Sequence, residues 1–424
     1  MQLDQKSLFE FVGGEKKLFK FCEQFSEKNF KNWGKNPPPF VEILNEKIPE
    51  KLKKSAANLR KKFDHFFILG IGGSALGARV LRDGLNLKNL EIIDSIDPEF
   101  LVELSFKFFG RQKNPPKNFD QNFSEKLCGK KLSRAAFFVI SKSGKTVETI
   151  AQFEFFRKLL RAKKKDWRKN FVFIGGENFQ KFAAENKVEF FKIPKNLSGR
   201  FSVFSPVGLL PVASAGGKIG EIFAGARKAA SKIFDRKNLN KNWPLFSAAA
   251  HFLSEKKTSV DFIFAKKLIA AGNFRRQLLA ESVGKNSAAI LPHVAVGTRD
   301  QHSDLQLFAA SPADKIFTFW KVEKFATDPV LPEVSTADFL SRKKLGEILR
   351  ANLAAVAQNL TEKKAAVQVL RIPEISGEIL GELLFGFEAE IFFLAKMRGV
   401  DPFDQPEVER AKFLAREILR EKKI

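Results

Sequence analysis

The 424 residues carry 73 Lys and Arg against 48 Asp and Glu, a formal net charge of +25, and 44% are hydrophobic, enough to bury a sizeable core over two or three domains. Two cysteines, Cys22 and Cys128, exclude a disulfide framework and a four-thiolate zinc site, and 47 Phe with no Tyr exclude a phenolic acid or base. The longest apolar runs, 66–73 and 391–395, fall short of the ~20 residues a membrane helix needs, and Met1-Gln-Leu-Asp-Gln-Lys lacks the apolar segment of a secretory signal. A cytoplasmic protein without membrane contact is expected. Basic residues come in short scattered runs such as Lys163-Lys164-Lys165, with no zinc-finger spacing or RNP-type aromatic motif. The charge therefore reads as a solvated surface rather than a nucleic-acid site.

In chain order, residues 1–60 mix charged and Phe-containing helical patterns around the break Pro37-Pro38-Pro39, a helical lead-in. Regular alternation follows. Phe66-Phe-Ile-Leu-Gly-Ile-Gly reads as a strand ending in glycines, 75–85 as a helix and Leu90-Glu-Ile-Ile-Asp94 as a strand. Then come strand Ala135-Ala-Phe-Phe-Val-Ile140, helix 147–160, strand Phe171-Val-Phe-Ile174 and strand Val188-Glu-Phe-Phe191. Beyond Trp243 the strands resume with Val260-Asp-Phe-Ile-Phe264, Ala288-Ala-Ile-Leu291, Ile316-Phe-Thr-Phe-Trp320 and Val367-Gln-Val-Leu370, and long helices close the chain. Such alternation predicts parallel sheets covered on both faces, here two doubly wound α/β domains, 61–200 and 201–424, after the lead-in 1–60. Ligands are expected at the carboxyl ends of the strands.

Two loops carry the chemistry. Gly70-Ile-Gly-Gly-Ser-Ala75 fits the dinucleotide pattern G-x-G-x-x-G/A, with Asp94 ending the next strand, which alone points to an NAD-type oxidoreductase. Ser141-Lys-Ser-Gly-Lys-Thr146 ends in Gly-Lys-Thr, but Val139 stands where a P-loop needs its first glycine, so a nucleotide P-loop is rejected. Both loops follow an apolar strand, carry hydroxyls and enter a helix whose amides and dipole favour an anion. Ser74, Ser141, Ser143 and Thr146 are thus either ligands of one phosphate or ordinary helix caps.

Together with four further segments, these loops resemble the glucose-6-phosphate isomerase family, over about 66–412. Gly70-Ile-Gly-Gly-Ser-Ala-Leu-Gly77 and Ser141-Lys-Ser-Gly-Lys-Thr146 are similar to its phosphate loops, and Leu197-Ser-Gly-Arg-Phe-Ser-Val-Phe-Ser-Pro-Val-Gly208 to its first signature, with Arg200 as the arginine. Gln277-Leu-Leu-Ala-Glu-Ser-Val-Gly-Lys285 resembles the segment bearing the catalytic glutamate, here Glu281, and Gly297-Thr-Arg-Asp-Gln-His302 the segment with the functional histidine. Pro402-Phe-Asp-Gln-Pro-Glu-Val-Glu-Arg-Ala-Lys412 resembles the second signature with its lysine. Lys145, Glu407 and Phe201 depart from the family's usual Thr, Gly and Tyr.

The resemblance implies two sugar-isomerase-type, flavodoxin-like domains and a cofactor-free, metal-free aldose–ketose isomerase of glucose 6-phosphate and fructose 6-phosphate. It assigns Gly73, Ser74, Ser141, Lys142, Ser143, Thr146, Gln277 and Gln405 to substrate binding. Glu281 is the implied base, Arg200 the cation at the developing enediolate, and His302 and Lys412 serve ring opening. A homodimer is implied, with His302 reaching the partner's site. The chemistry suits these residue types: a carboxylate accepts and returns a proton, a guanidinium stays charged, and an imidazole titrates near neutrality. Gln277 and Glu281, four apart, share one helix face, and Gln405 and Lys412, seven apart, are expected two turns apart on another. His65, His251 and His293, beside or within apolar stretches, read as core or surface histidines. A sugar-phosphate-sensing regulator on the same fold is the non-enzyme alternative, disfavoured by the absence of an evident helix-turn-helix.

Overall fold

In the computed structural model, residues 1–110, 126–285 and 289–421 are described. The chain divides into two compact units, one of 37–230 with 375–384 and the other of 1–36, 231–374 and 385–424. This differs from the sequence-based partition at 60 and 200. The prolines at 37–39 mark the first division, because residues on either side of them join different units.

The unit containing 37–230 is built on a five-stranded sheet of β2 (His65–Leu69), β3 (Leu90–Ile93), β4 (Ala135–Ser141), β5 (Phe171–Gly175) and β6 (Glu189–Lys192), all parallel, in the order β3-β2-β4-β5-β6. Every residue of β4 is buried, which explains its uninterrupted apolar sequence. Helices Leu76–Leu85, Pro98–Phe109, Val147–Ala162 and Glu177–Asn186 make the crossovers. One is punctuated by Asp97, which accepts the Phe100 amide ahead of Pro98, another by Asn86, left-handed at φ 56. Phenylalanine fills the core: Phe137 stacks on Phe156 at 4.7 Å between ring centroids and Phe153 meets Phe171 edge-on at 4.9 Å. Counted along this unit, the strands lie in the order 2-1-3-4-5, the flavodoxin-like arrangement, whose chain reversal falls between β2 and β4.

The other unit holds β1 (Gln2–Asp4), β7 (Thr258–Ile263), β8 (Leu291–Val296), β9 (Lys315–Val322) and β10 (Ala366–Ile372), in the order β1-β10-β9-β7-β8. β7 to β10 are parallel and β1 adds an antiparallel edge, Leu3 opposite Leu370. That edge strand, unexpected from the sequence, draws the N-terminus into this unit. Helix Glu15–Lys35 follows it, its Phe30 and Trp33 packed 5.6 and 5.7 Å from Phe393. The strand expected at 288–291 instead runs from Leu291 to Val296; 286–288 lie outside the described residues. β8 is an edge strand, which accommodates Pro292 and the half-exposed His293. Among the described residues no helix is long and apolar enough to cross a membrane.

Candidate active site

Both hydroxyl-bearing loops leave neighbouring strands at the same end of one sheet. β2 and β4 pair in parallel with Leu69 opposite Val139, so Gly70 and Ser141 emerge side by side where the strand order reverses. That is where an open parallel sheet leaves a crevice. The first loop makes a 3-10 turn, Gly72–Ser74, before helix Leu76–Leu85. Gly73 is required there by contact: a Cβ would sit 2.4 Å from the Gly199 carbonyl carbon and 2.5 Å from the Arg200 nitrogen. Loop one therefore lies directly against the backbone that bears Arg200.

The second loop is braced by its own hydroxyls. Ser141 Oγ and Thr146 Oγ1 are 2.8 Å apart, Ser141 Oγ accepts the Gly144 amide at 3.1 Å, and Ser143 Oγ accepts the Lys145 amide at 3.1 Å. Gly144, at φ +63, takes the left-handed turn, and Asn178 Nδ2 donates to the Ser143 carbonyl at 2.7 Å. The cap reading of these hydroxyls is not what the structure has: neither Thr146 nor Ala75, the residues before the two helices, makes a side-chain cap bond. The first-turn amides of helix Val147–Ala162 thus keep their capacity for an external acceptor.

Two cations complete this half. Arg200, in the 3-10 turn Gly199–Phe201, is only 2% exposed, and its guanidinium lies 5.8 Å from the Phe201 ring. Loss of water around Lys142, together with Arg200 nearby, lowers the Lys142 ammonium below its ordinary range. Two like charges whose fields overlap beside the loops mark a place that favours an anion. Asp94, the ribose ligand of the dinucleotide reading, is instead paired with Arg79 at 2.7 Å.

The other unit carries the remaining candidates. Gln277 and Glu281 share a face of helix Ile269–Val283, where Gln277 Nε2 donates to Glu281 Oε1 at 2.8 Å, as the four-residue spacing predicts. Just past this helix Lys285 bonds the Asp404 carboxylate and the Asp401 carbonyl, tethering the loop that contains Gln405 to the end of the glutamate helix. Gln405 and Lys412 are not on one helix. That helix spans Glu407–Arg420 with Pro406 as its N-cap, leaving Gln405 in the preceding loop, and none of its described residues is buried. Lys412 is half-exposed and pairs with Glu409 at 2.7 Å.

His302 ends the 3-10 turn Arg299–His302 with its side chain exposed. Asp300 pins that turn, accepting the Val296 amide at 2.7 Å and two bonds from Arg299 at 2.7 and 2.8 Å. The Arg299 pairing holds the Asp300 carboxyl down at about 2. The other histidines are engaged elsewhere: His251 Nδ1 donates to the Ser247 carbonyl at 2.8 Å, His293 meets Asp304 at 2.8 Å, and His65 packs edge-on to Phe108.

Sequence reasoning missed the group that anchors the Glu281 helix. Arg275 is fully buried and donates to Glu390 at 2.7 and 3.0 Å and to Asp261 at 2.9 Å. Asp261 also accepts Trp320 Nε1 at 3.1 Å, and Ser259 Oγ contacts both Arg275 and His251. A signal was available, since Arg275 lies on the buried stripe of Ala271, Phe274 and Leu278, where a cation requires partners.

Fold and site together define a doubly wound α/β protein with a pair of hydroxyl-bearing loops and a separate carboxylate–amide pair on a crossover helix. The phosphoglucose isomerase profile matches residues 44–308. The chain is 33% identical over 409 residues to glucose-6-phosphate isomerase of Carboxydothermus hydrogenoformans, covering 90% of this chain and 85% of that protein. It is 32% identical over 390 residues to a probable glucose-6-phosphate isomerase of Methanococcus maripaludis, covering 91% and 85%. Among solved structures, it is similar to a hypothetical protein from Thermus thermophilus, with TM-score 0.84, 28% identity and 99% of both chains covered. A glucose-6-phosphate isomerase from Chlamydia trachomatis shares the fold, with TM-score 0.73, 24% identity and 88% and 73% coverage. The chain belongs to the phosphoglucose isomerase family.

Proposed function

We infer that this chain interconverts glucose 6-phosphate and fructose 6-phosphate by moving one proton between C2 and C1 of the open-chain sugar. The observation that carries this reading is the loop pair at the reversal point of the first sheet, with Lys142 and Arg200 beside it, in a chain of this family. We assign the phosphate to Ser74, Ser141, Ser143, Thr146 and the amides around Gly73, with Lys142 supplying charge. Glu281 removes the C2 proton of the aldose and returns it to C1 of a cis-enediolate, with the reverse order for the ketose. Arg200 stabilises the enediolate oxygen, a task for a group that stays protonated. Gln277 orients the Glu281 carboxylate, and Gln405 binds substrate.

His302 and Lys412 form the acid–base pair for ring opening in this assignment. Lys412 must leave Glu409 to act, and an exposed helix pair at this spacing is worth only about 0.2–0.5 kcal/mol, so the contact is no obstacle. The exposed His302 supports a homodimer in which it serves the partner's site. Hybrids of a Glu281→Gln chain with a His302→Ala chain should then regain part of the activity that each lacks alone. The reaction supports a cytoplasmic place among enzymes of sugar-phosphate breakdown and synthesis. A coupled assay of fructose 6-phosphate conversion to glucose 6-phosphate tests the activity, and no turnover by the folded protein would overturn it.

A further inference from the structure

At the opposite end of the phosphate-loop sheet, two adjoining concavities share Lys165, Asp166 and Arg168. One, about 700 Å³, opens beside Phe63, Ser133 and Phe171, that is, at the amino ends of β2, β4 and β5. The other, about 520 Å³, lies along the exposed side of the last turns of helix Val147–Ala162. Residues 157–169, Arg-Lys-Leu-Leu-Arg-Ala-Lys-Lys-Lys-Asp-Trp-Arg-Lys, hold a single acid, Asp166. The sequence alone reads this run as a solvated surface, but the fold gathers it around concave ground.

Three observations separate the site from ordinary basic surface. Trp167, buried beneath it, has the Arg157 guanidinium 5.5 Å and the Arg168 guanidinium 5.4 Å from its ring, so both cations are held by cation–π contact before any ligand arrives. Arg157 pairs with Glu154 and Arg168 with Asp166, yet Lys62, Arg161, Lys165 and Lys169 make no ion pair among the described residues. Ser55, 6% exposed, lines the larger concavity, and its buried Oγ has no hydrogen-bond partner among the described residues. A buried hydroxyl left without a partner costs free energy, which an acceptor in the cavity would recover.

We propose that this face is a second anion site, distinct from the substrate loops, and that it takes a linear polyphosphate group of a small molecule. One phosphate is satisfied by two or three cations; the unpaired cations here extend across both concavities, which suits a chain of phosphates. The rim acids Asp166 and Glu189 bound the site. Among the described residues the site's aromatic rings offer no open face for base stacking: Phe63 and Phe171 are buried, and two arginines lie over Trp167. That disfavours a nucleic acid, whose single strands bind through such faces.

The test is calorimetric titration of the full chain with tripolyphosphate at 0.15 M salt, repeated on Lys165→Gln/Arg168→Gln and on Ser143→Ala/Thr146→Ala. Both substituted basic residues are exposed, so the fold should persist, as circular dichroism would check. Affinity should fall at least about tenfold in Lys165→Gln/Arg168→Gln, while kcat/KM for fructose 6-phosphate stays within about twofold of the unsubstituted enzyme. It should survive Ser143→Ala/Thr146→Ala, and Ser55→Ala should weaken it by about threefold or more. Equal affinity in Lys165→Gln/Arg168→Gln, or loss only in the loop variant, would overturn the proposal. So would displacement of tripolyphosphate by a mixed-sequence single-stranded oligonucleotide of higher affinity that depends on the same two residues.

Discussion

His251 and Asp261 both lie in the buried network around Arg275, and their titrations should pull stability in opposite directions between pH 4 and 6.5. Burial, aided by the Arg275 charge, lowers the His251 imidazole from 6.5 to about 4. The folded state therefore holds it neutral while the unfolded chain protonates it, and its contribution is present above pH 6.5 and lost as pH falls towards 4. The drop from 6.5 to about 4 corresponds to about 3 kcal/mol. Asp261 behaves conversely. Burial outweighs the Arg275 pairing and raises its carboxyl from 3.8 to about 6, so its contribution is present below pH 3.8 and lost as pH rises through 6, again about 3 kcal/mol. In the unsubstituted protein the two largely offset each other.

Removing one member exposes the other. Urea unfolding can be followed by tryptophan fluorescence, since Trp33, Trp243 and Trp320 all lie in this unit. The stability gap between the unsubstituted protein and His251→Gln should widen by about 3 kcal/mol from pH 4 to pH 7, whereas the gap for Asp261→Asn should narrow by a similar amount. Both gaps staying constant across this range would refute the argument.

At the first loop, Gly73→Ala places a Cβ 2.4 Å from backbone that cannot yield cheaply, and kcat/KM should fall at least about tenfold while the fold persists; unchanged kinetics would show that the loop moves freely away from Arg200. Ser143→Ala with Thr146→Ala removes two hydroxyls from the loop to which the phosphate is assigned, each charge-assisted bond being worth about 1.5–3 kcal/mol, so KM should rise more than kcat falls. An unchanged KM would move the phosphate elsewhere. Glu388 is fully buried with neither carboxylate oxygen hydrogen-bonded among the described residues, and burial pushes its carboxyl well up, keeping it neutral. Glu388→Leu should therefore raise the melting temperature, by relief of about 1–3 kcal/mol, and a lower one would reveal a partner for the carboxyl.

The geometry of the two loops was legible because its signals are local: a strand, glycines, hydroxyls and a helix start follow one another within ten residues at the end where parallel sheets bind ligands. The same rule does not find Glu281. Its helix connects parallel β7 and β8 and so runs back from the carboxyl end of one towards the amino end of the other, and Glu281 is in the final turns. Only the motif resemblance and the four-residue spacing from Gln277 pointed to it. The partition of the chain was not legible either, since the three-residue strand β1 pairs with β10 across nearly the whole sequence. The partners of Arg275 were hidden for a related reason: Glu390 lies on helix Gly377–Met397, far along the chain from Arg275, and joins Asp261 of β7 and Arg275 only when that helix packs into the same unit.

The proton transfer assigned to Glu281 is tested most directly by Glu281→Gln, assayed for fructose 6-phosphate turnover, with the unsubstituted enzyme run in parallel in deuterated water. Gln277 can still hydrogen-bond the new amide, so the substitution keeps the shape and removes the base. Turnover should drop by about 10²–10⁴ or more with substrate binding retained, and the unsubstituted enzyme should place solvent deuterium on the product carbon. Near-normal kcat in folded Glu281→Gln would contradict the assignment outright.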